Sequence, residues 1–350
     1  MKSRHRDILQ LLRTKPIMKI HELCEALQVS EATIRRDLTE LRKEGVERIG
    51  GAAYWKHAGA DRRGAAQPGQ AKSGAQIGCI VSVSRKLVHP YFSPIVEGIE
   101  KGLASLGCSL AFLHNLDDLM DESLVEAMLS ERKIDGLIVV EGVRPDIYER
   151  LKQAIPFIVG IDISDHTVPV IAYDRIGAAA SAVRHLLSQG HSRIGFIGGA
   201  GLSGDLDREK RYRGYKHALQ EAGIALNPDW VLNADWDVNA SYARMLELLE
   251  RDAPLPTAMF ASSDMMAISA MRAVTEKNMR IPEDMAFIGL DNIEIAQYTT
   301  PPLSSVHIPK YEMGDMAAKM LVGFMQGTYS LPFKLLMPYE IIVRQSSAHI

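Results

Sequence analysis

Arginine is the residue type with the most chemical reach in the first part of the chain. Between Ser30 and Lys43, Thr33, Arg35, Arg36 and Arg42 fall on the side of a helical repeat that leaves Ile34, Leu38 and Leu41 to be buried. A guanidinium can bond a guanine edge bidentately or hold a phosphate, and a helix fits the major groove of B-DNA, so this face suits a polyanion. Patterns that would make or break bonds fail on inspection. Gly199-Ala200-Gly201-Leu202-Ser203-Gly204 spells G-x-G-x-x-G after an apolar run. Asp205, Asp207 and Glu209 follow at once, where they would repel a pyrophosphate, and the next acidic strand end is as far on as Asp235. His21-Glu22-Leu23-Cys24-Glu25 lacks the second histidine of a metalloprotease helix, and neither a G-x-S-x-G elbow nor a Walker A loop occurs. Cys24, Cys79 and Cys108 are too few and too scattered for a disulfide framework or a zinc site and read as reduced thiols. The expectation is a protein that binds and does not catalyse, with no metal or dinucleotide cofactor.

A helix that exposes arginines needs partners to pack against. Apolar repeats at Arg6–Arg13 (Ile8, Leu9, Leu11, Leu12) and Ile20–Leu27 (Ile20, Leu23, Leu27) predict two of them. Gln28-Val29-Ser30 interrupts, and Ser30 is placed to cap a third helix, Glu31–Lys43. Two short helices around a three-residue turn, the second bearing arginines, make the geometry of a helix-turn-helix. Residues 57–75, HAGADRRGAAQPGQAKSGA, have Gly, Ala, Ser or Pro at 12 of 19 positions, which predicts a flexible connector. From Gln76 the pattern becomes alternating. Apolar runs predict strands at Ile77–Val83, Leu110–His114, Gly136–Val140, Phe157–Ile161, Val168–Tyr173, Arg193–Ile197, Ala258–Ala261 and Ala286–Leu290. Helical stretches such as Pro94–Leu106, Gly177–Gln189, Lys210–Glu221 and Asp264–Lys277 lie between them. Such alternation predicts parallel sheets wrapped by helices, in two lobes, with binding sites beyond the carboxyl ends of the strands.

The chain of 350 residues is 47% hydrophobic and 24% charged, the mix of a globular protein of two or three domains. That excludes a disordered tail, a collagen-like fibre and a small disulfide scaffold. No run approaches the ~18 apolar residues of a spanning helix. The leading MKSRHRDILQLLRTKP is charged from its second residue, without the apolar core of a secretory signal, so a cytoplasmic location and no membrane partner are expected. The net charge of -3 is a sum of unlike parts. Residues 1–76 carry 15 Lys+Arg against 9 Asp+Glu, and the remainder carries 25 against 34. A basic head on an acidic body fits a polyanion-binding module joined to something else.

The residues go further than the charge. Val29-Ser30-Glu31-Ala32-Thr33-Ile34-Arg35-Arg36-Asp37-Leu38, followed by Glu47-Arg48-Ile49-Gly50-Gly51-Ala52, resembles the winged helix-turn-helix of the deoxyribose-repressor (DeoR) family. The resemblance implies that Ser30, Thr33, Arg35 and Arg36 sit at the DNA surface, with Arg48 near the wing. The wing is shorter than is usual in that family, because only Val46-Glu47-Arg48-Ile49 separates Gly45 from Gly50. The body is similar to the effector domain of the lactose-repressor (LacI/GalR) family, itself related to periplasmic sugar-binding proteins. The likeness rests on His89-Pro90-Tyr91-Phe92, Ile161-Asp162-Ile163-Ser164-Asp165, HLLSQGHSRIGFIGG from His185 to Gly199, Arg211-Tyr212-Arg213-Gly214-Tyr215, Ser262-Ser263-Asp264-Met265-Met266-Ala267 and Gly289-Leu290-Asp291-Asn292. The implied fold is α/β: a two-lobed, periplasmic-binding-protein-like (type I) body with parallel sheets, preceded by a small winged helix-turn-helix domain. The implied bounds are 1–56 for the head, 57–75 for the linker and 76–350 for the sensor and dimerisation domain.

In sugar-binding members of the LacI/GalR family, the positions of Tyr91, Asp162, Arg211, Trp236, Ser263, Asp264 and Asp291 contact the ligand. Each follows a strand or begins a helix here, so the resemblance implies that they converge on a cleft between the lobes. Trp236 offers a flat apolar platform for the C–H face of a sugar. Asp162 and Asp291 can accept from vicinal hydroxyls, and Arg211 can donate a fork. Asp264 can equally be a helix cap, and Tyr91 and Trp236 plain core aromatics. Carboxylates outnumber cations among these positions, which favours a neutral sugar as the small-molecule effector. The combined expectation is a sequence-specific DNA-binding regulator, a repressor of a carbohydrate-utilisation operon. It would act on double-stranded operator DNA as a homodimer or tetramer, with ligand-driven lobe closure changing the spacing of two heads. A sugar-binding protein of an uptake system is the alternative, and the DNA-binding head and the missing leader argue against it.

Overall fold

The computed structural model of the chain describes residues 3–14, 17–44, 46–49, 52–55, 74–82, 89–115, 117–130, 134–201, 204–329 and 332–347. The N-terminal segment runs α1 (Ser3–Thr14), β1 (Ile17–Lys19), α2 (Ile20–Leu27), α3 (Glu31–Glu40), β2 (Val46–Ile49) and β3 (Ala52–Trp55). Its core is the set expected from periodicity, Ile8, Leu12, Ile20, Leu23, Ile34, Leu38 and Leu41, joined by Met18, Val46 and Ala53. Two details differ from expectation. The third helix ends as an α-helix at Glu40 and tightens into a 3-10 turn, Leu41–Glu44, as helix ends do when they satisfy their last carbonyls. Ser30 takes the cap position, but its hydroxyl meets the Thr33 hydroxyl at 2.9 Å and caps no backbone N–H. The short wing is a hairpin paired from Val46↔Trp55 to Ile49↔Ala52, and β1 adds a third strand against β3. The connector falls outside the described residues, apart from Gly74 and Ala75.

The body continues with β4 (Gln76–Val81), α4 (Phe92–Ser105), β5 (Ser109–Asn115), α5 (Glu122–Ser130), β6 (Gly136–Val140), α6 (Pro145–Ala154), β7 (Ile158–Ile161), β8 (Val170–Tyr173) and α7 (Arg175–Ser188). It proceeds through β9 (Ile194–Gly198), α8 (Lys210–Glu221), β10 (Val231–Asn233), α9 (Val238–Leu249), β11 (Ala258–Ala261), α10 (Asp264–Glu276) and β12 (Ala286–Asp291). It ends with β13 (Ser304–His307), α11 (Lys310–Met325), β14 (Lys334–Met337) and β15 (Glu340–Ile342). Two six-stranded sheets result, ordered β14-β8-β7-β6-β4-β5 and β10-β9-β11-β12-β13-β15. Within each, the first strand in sequence lies between the second and the third, so each sheet has a switch point, beside β4 in one and β9 in the other. Pairing is parallel from β5 through β4 and β6 to β7 in one sheet and from β10 through β9, β11 and β12 to β13 in the other, where β15 joins β13 antiparallel.

The chain divides into two compact units, residues 1–85, 100–170 and 316–334, and residues 86–99, 171–315 and 335–350. In the first, β6 and β7 are buried end to end and β4 is buried from Ile77 on, as expected of apolar runs covered on both faces. In the second, Phe196, Phe260 and Phe287 lie wholly inside. Tyr215 joins them, its hydroxyl donating to the Ile194 carbonyl at 2.8 Å.

Candidate functional site

Four of the five residues expected at DNA lie on α3 or at its cap, and Arg48 does not. Arg35 and Arg36 are exposed on α3, and Ser30 and Thr33 stand at its first turn. Arg35 is not idle: its guanidinium bonds Glu31 one turn back, with Nε at 2.8 Å. On the buried face, Asp37 accepts from Arg4 of α1 at 2.5 and 3.1 Å, and His5 Nε2 lies 3.2 Å away. The hydrogen bond from Arg4 holds the Asp37 carboxyl below its ordinary value, against its burial. These ties fix α3 against α1, so that the arginine face is presented by a rigid helix. Arg48 is placed in β2 opposite Ala53. Among the described residues, no group of three or more His, Cys, Asp and Glu could hold a metal, and no helix is long and apolar enough to cross a membrane.

The second unit gathers most of the effector candidates. Arg211, 5% exposed, opens α8 just past the loop that follows β9. Its guanidinium lies over the Trp236 ring, 4.8 Å from the centroid. It donates to the Tyr173 hydroxyl at 3.2 Å and to Glu209 at 3.3 Å. Burial works against the charge on Arg211, yet Tyr173, Glu209 and Asp291 outweigh burial and the repulsion of Arg175, so the guanidinium stays protonated. Its Nε is buried and makes no hydrogen bond among the described residues. Glu209 also caps α8, accepting from the Tyr212 N–H at 2.7 Å. The arrangement is a desolvated, pre-oriented donor fork beside an indole face and a carboxylate.

Backbone geometry marks the same places. Among the described residues, eight non-glycine residues have positive φ, and two of them, Gln28 and Asn278, sit at helix ends. The other six, Glu141, Asp162, Asp235, Trp236, Asp291 and Asn292, all lie at or just past the ends of strands. Such conformations are costly and cluster where function requires them. Asp162, in the first unit, follows β7 and is 9% exposed. Tyr91 is buried against Phe92, edge to face at 5.0 Å, at the start of α4. Ser263 caps α10, accepting from the Met266 N–H at 3.3 Å, so the cap falls to Ser263 and not to Asp264. Asp264 instead accepts from the Ile293 N–H at 2.8 Å and the Ser305 hydroxyl at 2.6 Å.

The G-x-G-x-x-G run has a packing explanation. A Cβ on Gly199 would lie 2.5 Å from the Trp236 nitrogen, so glycine lets the Trp236 backbone come close to β9. Asp205 caps a 3-10 turn at Leu206–Arg208, and Asp207 pairs with Lys216. Sequence reasoning passed over Tyr173, Glu209, Asn292 and Lys310. Tyr173 ends a strand and Glu209 precedes a helix, positions that could have suggested them. Asn292 stands in the Gly289-Leu290-Asp291-Asn292 run just past a strand, a sign of the same kind, whereas Lys310 gave none.

Comparison with known proteins adds to this geometry. A DeoR-like helix-turn-helix domain model matches residues 4–58, and a periplasmic binding protein-like domain model matches residues 183–347. The transcriptional repressor PurR of Haemophilus influenzae is 33% identical over 253 residues, 70% of this chain and 72% of that protein. The repressor CytR of Escherichia coli K12 is 30% identical over 271 residues, 77% of this chain and 79% of that protein. Among solved structures, the regulator CelR in complex with cellobiose is 25% identical, with a TM-score of 0.71, covering 91% of this chain and 92% of that one. A LacI family regulator from Enterococcus faecium with bound ribose is 26% identical, with a TM-score of 0.67, covering 79% and 99%. A fold of two switch-point sheets, a buried arginine stacked on an indole and a helix with exposed arginines are thus found in a chain whose relatives are repressors and not enzymes. The chain belongs to the LacI-type family of transcriptional repressors and carries a DeoR-like helix-turn-helix at its N-terminal end.

Proposed function

We propose that the protein is a cytoplasmic repressor of a carbohydrate-utilisation operon. Residues 1–56 read double-stranded operator DNA, residues 57–75 act as a tether, and residues 76–350 bind a small neutral sugar and form a homodimer. The observation that carries the effector half is Arg211, buried, stacked on Trp236 at 4.8 Å and held by Tyr173 and Glu209. Glu209 already balances the guanidinium charge, and Asp291 adds a carboxylate nearby. What remains for a ligand is directional hydrogen bonding beside an apolar face, the chemistry of a hydroxyl-rich, uncharged ring. The complexes of similar regulators with cellobiose and with ribose fit the same class of ligand.

Calorimetric titration of the full-length protein with cellobiose, D-ribose, other neutral sugars and their phosphates tests this. A neutral sugar should bind, and Arg211→Ala or Trp236→Ala should weaken it at least tenfold. Binding confined to the phosphates would sink the neutral-sugar reading. For the DNA half, Arg36→Ala should weaken binding to a duplex selected from a random-sequence library by about 1–3 kcal/mol if the side chain reads a base. Unchanged affinity would remove Arg36 from the reading surface.

A further inference from the structure

The turn that carries Asp291 off the end of β12 is built in an unusual way. Asp291 has φ 119° and Asn292 has φ 50°, two consecutive non-glycine residues in the left-handed region. Such a corner persists only when its surroundings over-determine it. Its N–H side is held by Ser305 and Asp264: the Asn292 N–H donates to Ser305 Oγ at 2.9 Å, and the Ile293 N–H donates to Asp264 Oδ2 at 2.8 Å. The Asn292 side chain is gripped by Arg344 at 2.8 Å and His307 at 3.2 Å. On its carbonyl side stands a buried lysine. Lys310, 7% exposed at the start of α11, donates its ammonium protons to the main-chain oxygens of Asp291, Asn292 (3.4 Å) and Ile308 (3.2 Å).

An ammonium ion has three donors and no acceptor. With three main-chain oxygens around it, Lys310 is occupied by the backbone and is not a sugar contact in its own right. Burying a charge is costly unless it is paired and hydrogen-bonded. Burial draws the Lys310 ammonium below its ordinary value, and the carboxylates of Asp291 and Asp264 oppose that fall. An apolar side chain of the same length could fill the space, but it could not turn two successive carbonyls inward. The charge therefore does something that packing does not.

We propose that Lys310 is a positioning residue for effector recognition: by holding the Asp291–Asn292 corner it sets the direction from which the Asp291 carboxylate meets a bound sugar. This rests on the effector reading above, in which Asp291 accepts from a sugar hydroxyl.

The test uses full-length protein with Lys310→Met, Asp291→Asn and the double variant. In ligand-free protein, hydrogen exchange of the Asn292 and Ile293 amides should rise at least tenfold in Lys310→Met while β9 and β11 amides keep their protection. By calorimetry with D-ribose or cellobiose, whichever the wild type binds more tightly, Lys310→Met should raise Kd at least tenfold. In the Asp291→Asn background the same substitution should change Kd less than twofold, because a residue that acts through Asp291 has nothing left to act on. Unchanged exchange at Asn292 and Ile293, or an equal loss of affinity in both backgrounds, overturns the proposal. If Asp291→Asn alone binds sugar as the wild type does, the effector reading fails, and the exchange data still decide whether Lys310 holds the corner. Should Lys310→Met not fold, Lys310→Gln, which keeps two neutral donors, is read by the same criteria.

Discussion

Asp264 and Gly289 are a matched pair. Asp264 is wholly buried, and a Cβ on Gly289 would lie 2.1 Å from its Oδ1, so β12 must carry glycine where it passes that carboxylate. Burial pushes the Asp264 carboxyl up to about 7, against the hydrogen bonds from Ser305 and Ile293 and the charges of Lys310 and Arg344. The unfolded chain holds an aspartate near ~3.9. The folded protein therefore binds this proton more readily, and the stability it contributes is complete below about pH 4. It is lost as the pH rises from there through about 7. Replacing Asp264 by Asn should flatten that stretch of a melting-temperature profile, recorded between pH 4.5 and 8. At pH 4.5, where both side chains are neutral, the variant should be less stable than the wild type by about 1–3 kcal/mol, since an amide nitrogen then faces a donor, and the gap should narrow as the pH rises. A profile that keeps its slope would assign the titration to another group.

At the level of elements, α3 depends on a contact made on its buried face. Asp37 is 1% exposed and joins α3 to α1 through Arg4 and His5. Its carboxyl is held low by Arg4, so its contribution is present above the ordinary aspartate range and disappears as the pH falls through the lowered value. Asp37→Ala should destabilise the head by about 1–3 kcal/mol, an amount kept modest because Arg4 is partly solvated. Proteolysis of α1 should quicken, and operator affinity should fall although no DNA contact is removed. If affinity holds while α1 becomes labile, the clamp stabilises the head without positioning α3. Glu31 works in the other direction: paired with Arg35, it would compete with any phosphate offered to that guanidinium.

For the whole molecule, charge distribution says more than charge. A basic head on an acidic body should bind DNA through its head alone, with counterion release controlling the affinity. For a dimer with two heads, log Kd against log salt should have a slope of about 4 or more, at ~0.9 per phosphate neutralised. Arg42→Ala, removing one exposed cation per head, should lower that slope by about 2 if each contacts a phosphate. Filter-binding between 50 and 300 mM salt measures it, and an unchanged slope would place Arg42 away from the backbone.

The sequence by itself determined those features that rest on local pattern. Helical spacing placed Ile34, Leu38 and Leu41 inside and Arg36 outside, and continuous apolar runs marked β6 and β11 to the residue. It said little about β13, where Ser304 and Ser305 are buried because their hydroxyls have partners, nor about the three-residue strands β1 and β10. It named Arg211, Trp236 and Asp291 but not what holds them. Tyr173, Glu209, Ser305 and Lys310 come from distant stretches of chain, and a hydrogen bond between such stretches leaves no period in the sequence. Only the tertiary structure decided that Asp264 has both oxygens engaged by the chain, that Lys310 serves three carbonyls, and that Trp236 and Asp291 stand on left-handed backbone. The physical reason is one of range. Propensity and hydrophobic periodicity act over a few residues, whereas burial, pKa and the orientation of a donor are set by whatever the fold brings alongside.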